Sequence, residues 1–358
     1  MTTTPMIINA LGQLDNPNAP RSAEAAAELN QSSAQLTIDA RTLADAHASG
    51  LTAVNITLGY TIGDLPPYEH TLQELDVWDA IIRDKAADLL PIRTVADLHR
   101  AREEGRIGII YGFQNAVAVG EDTGRIATFA DRGVRVVQLT YNQANHIGDG
   151  SMAAENRGLT DFGRSVVEAL NDHHLMVDLS HSGERTCLEA ARISRAPVSI
   201  NHTGCRALAD LPRNKTDEEL RLVASRGGFV GVYFMPFLSL SGHASAADVV
   251  EHIDHAVNVC GEDAVGIGTD GTITSIDDLD SYRRHLVEHV ALRRAAGVGA
   301  AGERPDTLPF VLDLRGVDQF RELIRLLEAR GYRSSRIEKI MGKNFVDYAE
   351  RVWAPEST

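Results

Sequence analysis

The chain has 358 residues, 43% of them hydrophobic, and 35 Lys and Arg against 50 Asp and Glu give a formal charge of −15. That length allows two ordinary domains or one large α/β barrel, and the acidic balance disfavours nucleic acid and anionic membrane as partners, leaving a small-molecule substrate or a protein. Cys187, Cys205 and Cys260 are odd in number and lack CxxC spacing, which argues against a disulfide framework or a thiolate zinc site and fits a reducing compartment.

In chain order, the start at Met1 lacks a basic or apolar leader, and Met6–Asn9 is the first apolar run, read as strand one. Arg41–Ser49 has a helical pattern closed by Gly50, and the β-branched run Thr52–Leu58 is strand two. Helical periodicity then runs through Leu72–Leu90 and again through Val95–Arg102, ending at Gly105. Ile107–Phe113 is strand three and runs into Gln114, while Arg135–Thr140 is strand four and runs into Tyr141 and Asn142. A helix over Thr160–Asn171 precedes strand five, Met176–Leu179, and strand six, Pro197–Ile200, which flank a helix over Gly183–Ser194. Thr216 with Glu219 forms a capping box for a helix ending near Gly227, followed by strand seven, Phe229–Phe234. Ala246–Val259 is helical, and Ala264–Gly268 is strand eight. An irregular, charged insertion over about 271–308 precedes two helices, Val317–Ala329 and Ser335–Arg351. Ala23–Ala27 and Ala295–Ala301 read as helix or loop. No run approaches the ~20 apolar residues of a membrane span, and the C-terminus carries no lipid-anchor signal. A cytoplasmic protein is expected, with homo-oligomerisation left open.

Eight short, continuously apolar strands alternating with helices predict a (β/α)₈ barrel, one domain over residues 1–358. No GxGxxG follows strand one, which disfavours a dinucleotide fold. In a barrel of this kind the site forms at the C-terminal strand ends. Those ends supply Leu11, Gln13, Gln114, Tyr141, His181, His202 and Asp270, with Arg213 in the loop after His202. Such a set suits hydrolysis at a carbonyl. Imidazoles can hold a metal, Asp270 can move a proton, and Arg213 can grip a carboxylate, with Gln114 and Asn142 beside the substrate. Tyr141 suits an oxyanion donor or a packing role about equally. The pairs His252/His255 and His285/His289 have clip spacing but read as solvated helix faces, and Gly148-Asp149-Gly150 reads as a turn.

Five segments resemble the membrane (renal) dipeptidase family: Gly158-Leu-Thr-Asp-Phe-Gly-Arg164, Met176-Val-Asp-Leu-Ser-His181, Leu211-Pro-Arg-Asn214, Gly227-Gly-Phe-Val-Gly-Val232 and Gly266-Ile-Gly-Thr-Asp270. The resemblance implies a zinc-dependent barrel that cleaves dipeptides, with a His-x-Asp after strand one and a bridging glutamate after strand three. It also implies a second zinc on the histidines matching His181 and His202, a histidine after strand four, and substrate and proton-transfer groups matching Arg213 and Asp270. This chain departs at the centre, as a divergent bacterial-type member. His-x-Asp reads Leu11-Gly12-Gln13, the bridging glutamate is Gln114, and the strand-four histidine is Tyr141.

Two divalent ions roughly 3.5–4 Å apart need anionic ligands, which these residues do not supply. At most one zinc is therefore expected, on His181 and His202 with Asp270 or the Gln114 oxygen as third ligand; Asp15 and His146 are substitutes by position. The leading expectation is a dipeptidase-like hydrolase for a small amide or dipeptide with a free carboxylate. The alternatives are a metal-independent lyase, isomerase or amidohydrolase on the same barrel, and a binding pseudoenzyme.

Overall fold

The structure is a computed structural model that describes residues 5–20, 37–63, 65–295, 299 and 302–353. Its strands are β1 (Ile7–Gly12), β2 (Leu51–Thr57), β3 (Leu89–Pro91), β4 (Ile107–Phe113), β5 (Val134–Gln138), β6 (Met176–Asp178), β7 (Ser199–Thr203), β8 (Phe229–Val232) and β9 (Val265–Ile267). All pairings among them are parallel, in the order β1-β2-β4-β5-β6-β7-β8-β9, with β3 attached to β4 outside that path. The circuit closes where the Asp270 amide donates to the Leu11 carbonyl at 2.9 Å and the Gln13 amide to the Gly271 carbonyl at 3.0 Å. The expected barrel is therefore present, with every strand pointing its C-terminal end at one rim.

Period-two alternation divides the strand residues between two packing layers. Ile7, Val54, Ile109, Val137 and Val177 join the large cluster under the helices. Their neighbours Ile8, Ala53, Ile110, Val136 and Met176 join a second cluster with Phe229, Phe345 and Tyr348. Two residues further along that second face come Asn55, Gln138 and Asp178, all buried. The face turns from apolar to polar as it approaches the rim.

Helix starts follow their caps. Thr160 caps Asp161–Asp172, and Thr216 with Glu219 forms the expected capping box on Asp217–Ser225. Gly50 and Gly105 close their helices in the left-handed region, as read from sequence.

Four expectations need correction. The periodic stretch Leu72–Leu90 is a helix over Pro67–Asp84 followed by strand β3, so its leucines 89 and 90 belong to the sheet. The segment read as irregular after Asp270 contains a 17-residue helix, Leu279–Ala295. It shows no apolar stripe, because Val290 is its one fully buried residue. The last helix is interrupted: Ser334–Glu338 passes through a π-turn at Lys339–Lys343 into Asn344–Trp353. The sixth strand of the barrel path, β7, carries His202 within it rather than after it, since it extends to Thr203. The alanine-rich Ala23–Ala27, and all of Ala295–Ala301 except its first residue and Gly299, lie outside the described residues.

Candidate active site

Strands β6 and β7 deliver the two histidines to the rim, and helix Glu184–Ile193 between them keeps the strands parallel. Their ring centroids are 5.0 Å apart. His181 is 4% exposed and His202 is fully buried. The His181 Nδ1 lies 2.7 Å from Asn142 Oδ1, while its Nε2 and both nitrogens of His202 are buried with no hydrogen-bond partner among the described residues. Buried polar atoms left unpaired are costly, so they point to a ligand or water that belongs in this space.

Burial, first, and then the positive charge of Arg213 hold both imidazoles well below the ordinary histidine range. Lys215 adds to this at both rings, and Arg293 at His181. The two rings are neutral near pH 7 and sit in a cationic field. Lys215 is itself buried in an ion pair with Glu219, Nζ to Oε1 3.1 Å, and also donates to the Ser182 carbonyl. Its charge is balanced there, and the pair ties helix Asp217–Ser225 to the loop after β6.

Arg213 is 2% exposed, with Nη1 donating to the Ser180 carbonyl at 2.7 Å and Cζ 5.9 Å from the Tyr233 ring centre. Asp270 lies in the field of the same guanidinium. Burial lifts its carboxyl to about 6, against Arg213 and Arg293, which pull it down. Its backbone has φ 56°, a left-handed conformation that Asp tolerates better than most side chains. Closure of the barrel through the Leu11 carbonyl is what holds it there.

Tyr141 stacks on His181 with centroids 4.4 Å apart and planes 25° apart. Its loop is packed so closely that a Cβ on Gly150 would sit 2.1 Å from the Tyr141 carbonyl oxygen. The Gly148-Asp149-Gly150 segment is thus a structural turn, with Asp149 binding the Arg157 guanidinium at 3.0 Å. Gln114 follows β4 as expected, and its carbonyl accepts from buried Gln138 Nε2.

Other expectations fail. His146 is exposed and packs on Phe162 at 5.5 Å, and among the described residues it forms no ligand cluster with the pair, so it is no substitute ligand. Asp15 is buried after β1, where its carbonyl accepts from Thr272 Oγ1 at 3.1 Å. Among the described residues, no three His, Cys, Asp or Glu side chains gather closely enough to hold a metal, so neither Asp15 nor Asp270 completes a triad with the histidines. His252 is buried rather than solvated: it accepts from the Cys205 amide and donates to the Leu238 carbonyl, both at 2.9 Å, and burial pushes it down to about 4. His255 pairs with Asp217 at 2.7 Å. Sequence reasoning missed Arg293, which reaches the site from the helix in the insertion, and missed the buried Lys215.

A sequence profile of the membrane dipeptidases, peptidase family M19, matches residues 6–297. An amidohydrolase from Pseudomonas aeruginosa superposes with a TM-score of 0.80 at 32% identity, covering 98% of this chain and 97% of that one. A metallo peptidase from Rhodobacter sphaeroides, liganded with a phosphinate mimic of the dipeptide L-Ala-D-Ala, shares the fold with a TM-score of 0.72 at 20% identity, covering 98% of this chain and 100% of that one. An uncharacterised Klebsiella pneumoniae protein in the pqqA 5′ region is 26% identical over 299 residues, 80% of this chain and 97% of that one.

Proposed function

Since the chain belongs to the membrane dipeptidase family, we propose that it is a dipeptidase-like hydrolase acting on a small amide or dipeptide with a free carboxylate. The observation that carries the reading is the buried Arg213 guanidinium, whose charge acts on both histidines and on Asp270. One nitrogen of Arg213 is held by Ser180, which aims the remaining donors as a fork for a carboxylate. Asp270, lifted to about 6, is largely ionised at neutral pH yet close enough to its titration range to take a proton from water and return it to the leaving nitrogen.

Family membership favours metal use, but a zinc centre of the family's kind does not fit these residues. Catalytic zinc takes about three protein ligands. Here two imidazoles converge without a third His, Cys, Asp or Glu among the described residues, and cations surround them. One ion on His181 and His202 is the most this donor set supports. The hydrolytic step is accordingly assigned to protein groups. Water adds to the amide carbonyl as Asp270 accepts its proton, and the C–N bond then breaks as that proton passes to nitrogen.

The same donor set favours a second reading, metal-independent lyase or isomerase chemistry at Asp270. The test is a metal assay on protein purified without chelator, then turnover of a library of dipeptides and N-acyl amino acids with zinc and with EDTA. Hydrolysis of carboxylate-bearing amides, lost in His181→Ala and Asp270→Asn, is expected. If such compounds bind and emerge intact after long incubation, the chain is a binding protein and the hydrolase reading fails.

A further inference from the structure

The helix Leu279–Ala295 contributes Arg293 to the site, and it does so from within a mostly exposed element. The Arg293 side chain is 14% exposed, and its Nε lies 2.8 Å from Glu303 Oε1. Arg293 also donates to the phenol oxygen of Tyr141, the ring that stacks on His181 at 4.4 Å. A residue from the insertion therefore holds a ring beyond β5, across the barrel mouth. A phenol oxygen that accepts from a guanidinium directs its own hydrogen elsewhere, and the charge on the donor polarises that O–H as a hydrogen-bond donor.

We infer that Arg293 is a positioning residue for Tyr141, and that the Tyr141 hydroxyl donates to the oxyanion formed when water adds to the substrate carbonyl. This rests on the hydrolase reading. The carbonyl π pair moves to oxygen as the new C–O bond forms, and Tyr141 donates to that oxygen while keeping its proton. When the C–N bond breaks, the carbonyl re-forms and the contact weakens. A donor placed for the tetrahedral state strengthens selectively there, which is what lowers the barrier. Glu303 and Tyr141 together fix the guanidinium, so its charge orients the phenol instead of roaming in solvent.

The experiment uses the full chain and two probes: a phosphinate dipeptide mimic, whose tetrahedral phosphorus carries an anionic oxygen, and N-acetylalanine, whose amide is planar. Calorimetric titration of wild type, Tyr141→Phe, Arg293→Met and the double variant is compared. Each single variant is expected to bind the phosphinate about 10–100-fold more weakly, the range for one charged hydrogen bond, with the double variant no worse than either. N-acetylalanine affinity should stay within about twofold throughout, since Arg213 is intact. Arg293→Lys keeps a donor and should recover part of the loss; it also substitutes for Arg293→Met if that variant does not fold. Phosphinate binding equal in wild type and Tyr141→Phe, or additive losses in the double variant, overturns the inference and leaves the hydrolase reading standing. Wild type that binds N-acetylalanine and ignores the phosphinate overturns both.

Discussion

Asn142 fixes the tautomer of His181. Its Oδ1, which can only accept, lies 2.7 Å from the ring Nδ1, so the proton is on Nδ1 and the Nε2 lone pair points into the buried space beside His202. Asn142→Ala should free the ring to flip and exchange tautomers. The expected loss is roughly 10–100-fold in kcat/KM, the scale seen when the partner that orients a working imidazole is removed. Nitrogen NMR of labelled histidine checks the cause, because wild type should show one tautomer at His181 and the variant a mixture.

Arg213 should govern ground-state binding. It is almost wholly buried, and Ser180 fixes one of its nitrogens. Arg213→Ala is expected to cost ~1.5–3 kcal/mol of affinity for any carboxylate-bearing ligand, and Arg213→Lys should recover only part, since an ammonium cannot make the planar fork. Titration of an N-acyl amino acid and of its amide decides the matter. The amide should bind weakly to all three proteins, and an acid that binds them all alike would remove Arg213 from the substrate site.

The barrel was largely legible because its strands are short apolar runs between breakers. Ile107–Phe113 is a strand to the residue, and β2, β5, β6 and β9 differ from expectation by one or two positions. The rule that a barrel strand presents its C-terminal neighbours to the site pointed to Tyr141, His181 and His202, whose rings meet, and to Asp270 in the field of Arg213. What escaped depends on distant partners. His252 lies in a helix among charged residues, but the groups that pair with it are 47 and 14 positions away, Cys205 and Leu238. Leu89 and Leu90 extend a helical period yet pair with β4. The helix carrying Arg293 buries too little apolar surface to leave a periodic trace, so neither it nor its arginine had a signal.

The metal centre makes an additive prediction. Wild type purified without chelator should carry at most one zinc per chain, because Leu11, Gln13 and Gln114 stand where the family has a histidine and two carboxylates. The triple variant Leu11→His, Gln13→Asp, Gln114→Glu restores the anionic ligands and should raise zinc uptake, measured by plasma mass spectrometry after dialysis. Gln114→Glu alone is the milder step, since Leu11 is buried and a histidine there must be accommodated by its neighbours. Two tightly held ions in the wild-type chain would falsify the account of the donor set.

Asp270 links activity to stability with a defined sign. Burial raises its carboxyl from 3.8 to about 6, so the folded chain holds that proton more tightly than the unfolded one. The stability this confers is complete below about pH 4 and is lost as pH climbs to about 6, above which the ionised carboxylate costs roughly 1–3 kcal/mol. Asp270→Asn removes the charge, and asparagine keeps the left-handed backbone at φ 56° that the barrel closure requires. This variant should melt higher than wild type at pH 7.5 and match it near pH 4, while losing turnover at both. Asp270→Ala also removes the charge but adds about 1–2 kcal/mol of left-handed strain, so it should gain less. In wild type, kcat/KM should fall as pH drops through about 6, where the base takes up its proton. Equal melting curves for Asp270→Asn and wild type at pH 7.5 would show that the carboxylate is well solvated, and the raised proton affinity assigned to it here would have to be given up.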